Sequence, residues 1–262
     1  MSLVISKVFT YDTDAGNYIQ AVEAADGQVL EGATRQAINN FVMGCKQDGT
    51  WSAIKASCIL SGARTLAGAL VPLAGTAPTN FNFVSGDYNR KTGLVGNASN
   101  KYLSSNRSVN TDPQNSFHLA IYASSASQVS FNNLIGARLP GDNNSARTIF
   151  LEPVVIVAYA NFSGNFNISQ AFASGFVGVG RSTSTNANLR VVSTNTVDTS
   201  TSSSPSANSL IIPVFARRTG TSALDGYSNA RLAFYSIGES VDLALLDTRV
   251  TTMINAFAAA IP

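Results

Sequence analysis

Charge is scarce in this chain. Only 12% of its 262 residues are Asp, Glu, Lys or Arg, about half of what a globular domain usually carries. The formal net charge is +2, and no basic run exceeds Arg217-Arg218. The electrostatic footprint of a nucleic-acid binder is therefore missing. Long apolar runs are missing too: none approaches the ~18 residues of a membrane span. Residues 1–15 have no apolar stretch behind a basic flank, so no signal peptide is expected. Hydrophobic residues nevertheless make up 45%, too many for a disordered chain. Ser, Thr, Asn and Gly supply the polarity that ion pairs usually provide, which suits a β-protein of virion or extracellular type.

Residues that carry chemistry are just as sparse. Histidine occurs once, at His118, and cysteine twice, at Cys45 and Cys58; together they cannot furnish a tetrahedral zinc site. The cysteines read as two buried thiols, because a chain made without a signal peptide folds in a reducing compartment. His118 has no orienting acid or nucleophile that the sequence can place beside it, so a structural or surface role is expected. After Glu31 the only glutamates are Glu152 and Glu239, and neither belongs to the closely spaced carboxylate set that a glycosidase needs. Gly178-Val179-Gly180-Arg181 lacks the rest of a phosphate-binding fingerprint. No enzyme activity is expected. The N-x-S sequons at Asn97, Asn106, Asn143, Asn161 and Asn167 fit chance in so Asn- and Ser-rich a chain.

What is present is patterning. Residues 1–13 read as an extended arm or edge strand. Helices are predicted over about 14–25, with Asp12, Thr13 or Asp14 as cap and Gly27 as stop, and over about 31–45, where Leu30, Thr34, Ala37, Ile38, Phe41, Val42 and Cys45 form an apolar stripe. A short third helix is predicted from Trp51 to about Ser57, with Trp51 packed between helix and sheet. Leu70–Leu73 and Asn80–Val84 are candidate strands. Residues 91–237 then show short strands and turn signals at near-regular spacing: Phe117–Ala123, Leu134–Ala137, Thr148–Leu151, Val154–Ala160, Gly175–Gly180, Asn188–Val192, Leu210–Arg217 and Arg231–Ile237. Residues 193–209 read as a solvated loop. A closing helix spans Ser240–Ala260, capped by Ser240, with a seam of Leu243, Leu246, Val250, Met253, Phe257 and Ile261.

Within residues 91–122, two apolar runs flank polar turn chemistry at Gly96-Asn97, Ser99-Asn100, Asn106 and Asn110–Pro113. Phe117, Leu119 and Ile121 point one way, as in a strand with one buried face. This stretch resembles the opening of concanavalin A-like lectin/glucanase (laminin G-like) domains, in which a G-L-x-G turn and a K-Y-L strand start precede a strand of the type F-x-L-x-I-Y. The matching residues are Gly93-Leu94-Val95-Gly96, Lys101-Tyr102-Leu103 and Phe117–Tyr122. Residues 234–241 resemble the F-Y-S-x-G-x-S-L/V end of such domains. With the helical preface, they look like bacteriophage structural proteins, notably those of cyanophages.

The resemblance implies a mainly β fold: a concanavalin A-like jelly-roll sandwich of antiparallel strands with an N-terminal helical segment and a C-terminal helix. Residues 1–58 would form an arm and a helical attachment or oligomerisation segment, and residues 59–262 the sandwich with its helix. The implied function is that of a virion structural protein, such as a tail fibre or spike, whose lectin-like sandwich binds host-surface glycans. The alternatives are a purely structural capsid-decoration or tail-assembly protein and, less favoured, a polysaccharide hydrolase or lyase. Expected partners are other virion proteins and further copies of the chain, a trimer if it belongs to a fibre. Nucleic acid and membrane insertion are not expected, and the protein would be made in the host cytoplasm and reside in the virion. Glycan recognition in such a fold combines an aromatic platform with Asn, Asp and Arg hydrogen bonds. The loop residues with that chemistry are Asp142, Asn143, Asn144, Arg147, Asp225 and Tyr227. No cofactor is required; a calcium ion, which lectin-like domains often hold, would draw on Asp112, Asp142, Asn143 and Asn144.

Overall fold

The computed structural model describes residues 10–161, 164–199 and 204–262; most of the expected N-terminal arm lies outside them. In chain order the elements are α1 (Thr13–Asp26), α2 (Gly32–Gln47), β1 (Ile54–Ile59), α3 (Leu66–Ala69), β2 (Thr79–Phe81), β3 (Tyr88–Asn89), β4 (Gly93–Val95) and β5 (Tyr102–Ser108). There follow β6 (Phe117–Ser125), β7 (Asn132–Leu139), β8 (Asp142–Glu152), β9 (Val155–Ala160), β10 (Phe166–Ile168) and β11 (Gly175–Arg181). The chain closes with β12 (Asn186–Val191), β13 (Thr194–Thr199), β14 (Ile211–Val214), β15 (Arg217–Arg218), β16 (Leu224–Asp225), β17 (Arg231–Gly238) and α4 (Leu243–Ala260).

The strands form two sheets. The first runs β13-β12-β11-β6-β17-β4-β3, with β1 beside β4 on the same edge of β17. The second runs β10-β9-β8-β7-β14-β5-β2, with the β15–β16 pair attached to β7. Pairing is antiparallel except for the β15–β7 contact. The sheets face each other across a core that includes Leu103, Leu119, Ile121, Ile149, Val177, Val214 and Leu232. The fold is therefore the mainly β antiparallel sandwich, with N-terminal helices and a C-terminal helix, that the sequence pattern implies.

A third layer changes the reading of the first sheet. Helices α1, α2 and α4 cover its outer face, and Ala120, Phe176, Ala233 and Phe234 pack there against Phe41, Leu246, Val250 and Phe257. β6 thus has two buried faces rather than the expected one, which explains why Phe117–Ala123 is apolar almost throughout. Each fully buried Phe of this layer contributes roughly 2–3 kcal/mol. Arg249 anchors α4 to the end of α2 through Asp48, at 2.7 and 2.9 Å, and Asp247 anchors it to β12 through Arg190 at 2.7 Å. The division expected at residue 58 falls inside β1, which pairs with β17.

Several local expectations need correction. Residues 51–53 form a single 3-10 turn, and Ile54–Ile59 is a strand rather than helix. Pairing with β17 buries most of that segment and overrides any helical tendency. Leu70–Leu73 is not a strand; the chain there follows the short helix α3. Residues 194–199 of the expected loop pair with β12 instead, while residues 200–203 lie outside the described residues. Asp242, not Ser240, caps α4: its carboxylate accepts from Ala244 N and Leu245 N. The α1 expectation holds, with Asp12 as cap and Gly27 left-handed at φ 65°. Cys45 and Cys58 are buried, unbonded thiols; burial pushes the first up to about 11 and the second to about 12. Among the described residues no helix is long and apolar enough to cross a membrane.

Candidate functional site

With helices over the first sheet, the exposed sandwich surface is the outer side of the second. Its β2–β5 edge bears a cleft of about 370 Å³ lined by Phe81, Ser104, Ser209, Ile211, Arg218 and Thr221, among others. Pairing sets the geometry: Phe81 lies opposite Tyr102, and Ser104 opposite both Thr79 and Pro213. Because Leu103 points into the core, strand alternation turns Tyr102 and Ser104 outward.

Asn82 creates the exposed aromatic. Its φ of 68° is a left-handed value that Asn tolerates. The chain turns there, sending Phe83 inward against Phe215 at a centroid distance of 5.0 Å and leaving Phe81 outside, 37% exposed. Phe81 is held flat: its ring stacks on Tyr102 with centroids 4.3 Å apart and planes 5° apart. Tyr102 in turn meets Tyr227 at 6.3 Å and 58°, and burial pushes the Tyr227 phenol above its ordinary value. The result is a preset aromatic platform.

A second kink supplies the cation. Residues 210–217 were expected to form one strand, but Phe215 at φ 71° breaks it, so Arg217 and Arg218 begin β15. Arg217 is 1% exposed. Its guanidinium lies 4.3 Å from the Phe131 ring centroid and forks onto Asp225 at 2.9 and 2.7 Å. Arg218 lines the cleft, with Nη1 donating to Thr221 O at 3.3 Å.

The six residues singled out from the sequence do not assemble into one site, and none of them lines this cleft. Asp142 Oδ1 accepts from Asn144 N at 2.8 Å and Ser145 N at 3.3 Å, closing a turn at the start of β8. Asn144 is exposed beside it, and the Asn143 side chain lies outside the described residues. Arg147 is not a loop residue. It is 1% exposed between the sheets, 3.8 Å from the Phe117 ring centroid, with Nη1 donating to Val109 O at 2.9 Å. Burial pushes its guanidinium down to about 10. The Asp225 carboxylate is engaged by Arg217, and Tyr227 backs the platform from behind. Asp112, weighed for calcium, is buried with both oxygens on Arg107 at 2.9 and 2.5 Å. His118 is buried far from solvent, its Nδ1 2.6 Å from Glu239 O and its Nε2 2.7 Å from Ser236 Oγ.

No family model matches the chain, and no curated protein does. Solved structures do. The binding domain of botulinum neurotoxin serotype D matches with a TM-score of 0.50 at 9% identity, over 76% of this chain and 50% of that one. A structure of botulinum neurotoxin type C, whose cell entry depends on interaction with two ganglioside molecules, matches with a TM-score of 0.49 at 11% identity, over 79% and 51%. The NanB sialidase of Streptococcus pneumoniae matches with 0.39 at 14%, over 60% and 27%. The chain spans about half the length of the neurotoxin structures it matches. At 9% identity the likeness to the serotype D binding domain shows a shared fold alone.

Proposed function

We propose that this protein is a glycan-recognition module, a lectin-like β-sandwich that binds saccharides without transforming them. The observation that carries this reading is Phe81, a partly exposed ring stacked on Tyr102 in a cleft lined by Ser and Thr hydroxyls and an arginine. A flat aromatic face accepts the C–H side of a pyranose while neighbouring hydroxyls and guanidinium N–H groups take its O–H groups, the division of labour expected of a pocket that orients a polar ligand on an apolar floor. The six lining residues named above include no carboxylate, so they hold no acid pair for glycosidic cleavage. That a neurotoxin binding domain shares the fold is compatible with a recognition role, although this fold serves several functions.

The setting we propose is a bacteriophage virion, where the module would belong to a homo-oligomeric tail fibre or spike and contact host-surface glycans. That part rests on the sequence resemblance. A glycan array probed with the purified chain tests the binding reading, and Phe81→Ala tests the site. Retention of a glycan that falls at least about 10-fold with the variant, the order of a lost aromatic contact with its buried area, is expected. No retained glycan, or retention unchanged by the variant, refutes the reading and leaves a structural packing module. Cryo-EM of intact virions, with the cleft facing outward on a fibre or spike, tests the setting.

A further inference from the structure

We infer that the cleft selects acidic saccharides and that Arg218 reads their carboxylate or sulfate group; this deepens the glycan reading and rests on it. Arg218 is a cation left over. Its neighbour Arg217 takes both oxygens of Asp225. Among the described residues no carboxylate forms an ion pair with Arg218: it donates only to Thr221 O, at 3.3 Å. Its Nε is buried and has no hydrogen-bond partner.

The cleft around it makes this arrangement selective. Phe81 and Ile211 are the large apolar residues exposed beside Arg218, at 37% and 39%. A saccharide seated on Phe81 strips water from a guanidinium that no carboxylate among the described residues neutralises, and a neutral sugar repays that desolvation only with neutral hydrogen bonds. A carboxylate or sulfate repays it with charge-assisted bonds in a planar fork that guanidinium is shaped to make. Such a bond is worth about 1.5–3 kcal/mol, which corresponds to a preference of roughly 10- to 100-fold for the acidic member of an otherwise matched pair.

The test uses matched sets: lactose, 3′-sialyllactose and 3′-sulfolactose, with corresponding neutral, carboxylated and sulfated members of other oligosaccharides, printed on one array and then titrated calorimetrically. The intact chain is compared with Arg218→Gln and Arg218→Lys. Expected is a preference of at least 10-fold for acidic members, abolished in Arg218→Gln, partly kept in Arg218→Lys and weakened by added salt. Affinity for neutral members, which lose only a neutral hydrogen bond to the guanidinium, should fall by less than affinity for acidic ones. The carboxylated and sulfated arms separate the two anion sources. Equal binding of neutral and acidic members, or an acidic preference that survives Arg218→Gln, overturns the inference while leaving glycan recognition in place. Failure to bind any member overturns both. A thermal melt of Arg218→Gln coinciding with that of the parent shows that any loss is not unfolding.

Discussion

Lowering the pH from 7.5 to 5 should cost this protein about 2 kcal/mol of stability, nearly all of it through His118. The residue is fully buried near the start of β6, with Glu239 O and Ser236 Oγ at its two nitrogens. A carbonyl only accepts, so Nδ1 carries the hydrogen and Nε2 accepts from the Ser236 hydroxyl: the neutral ring is satisfied on both sides. Burial holds its pKa down from 6.5 to about 4. The folded state therefore binds the proton less readily than the unfolded chain. The stabilisation is fully present above 6.5 and drains away as pH falls towards 4, to a total of about 3 kcal/mol. His118 is the only histidine, so no other histidine titrates in that window. Glu31, which Arg90 holds at about 2, begins to contribute only near its unfolded value of 4.5. Urea unfolding followed by Trp51 fluorescence at pH 7.5, 6 and 5 measures the slope. In His118→Asn, which keeps a side-chain amide near Nδ1 and removes the titration, the curve should be flat from 7.5 to 5. A parent protein that loses less than about 0.5 kcal/mol over that range, or a variant that keeps the slope, refutes the argument.

Two further perturbations test the rest of the framework. Asp225→Ala should destabilise by about 2 kcal/mol, because it leaves the 1%-exposed Arg217 charge without its partner, an effect tempered by the solvent exposure of Asp225 itself. An unchanged urea midpoint would show that Asp225 is a free surface acid after all. Gly93→Ala should cost about 3 kcal/mol or more: at φ +94° a Cβ would stand 2.1 Å from Leu232 O, where backbone cannot yield. Gly27→Ala is the control, equally left-handed at φ +65° but with nothing within 4 Å. It should cost only about 1 kcal/mol, and equal losses in the two variants would disprove the close-approach explanation.

That glycine shows why part of the fold was legible in the sequence. Gly93 and Gly96 lie where β4 passes the backbone of the β17 region, and a Cβ on either would meet a carbonyl oxygen at 2.1 or 2.0 Å. The Gly-Leu-Val-Gly pattern is thus a steric requirement written into local sequence. Strand cores and helix stripes were legible for the same reason, since periodicity records which face is buried. The candidate site was not. Arg147 looked like a loop residue because Asp142–Asn144 carries turn chemistry, yet the β7–β8 hairpin is so tight that the strand is under way by Ser145, and Arg147 enters the core to stack on Phe117. Phe81 and Arg218 owe their exposure to left-handed kinks at Asn82 and Phe215. The first is signalled by an Asn between two Phe residues. The second falls on a residue type that disfavours such a conformation, so only the tertiary structure reveals it.

The three-layer arrangement also constrains where recognition can take place. A sandwich ordinarily offers two outer faces, but here Phe234 and Phe176 commit the outer face of the first sheet to Phe41, Val250 and Phe257. The second sheet is itself partly roofed, since Arg217 reaches over Phe131 and Phe150 and burying it requires Asp225. That pairing has two consequences. It closes the β7–β8 side of the face, and it commits the Asp225 carboxylate to Arg217. The open β2–β5 edge is left with an aromatic floor beside a cation that has no carboxylate partner among the described residues. One ion pair thus shapes both the limits of the cleft and its charge, so Asp225→Ala should alter ligand preference even though Asp225 does not line it. With Asp225 absent, the Arg217 charge next to Arg218 loses its counter-ion, and the discrimination between acidic and neutral members of a matched pair should rise above that of the parent. A preference that falls or stays level in a folded Asp225→Ala protein would show that the charge of the cleft is set elsewhere.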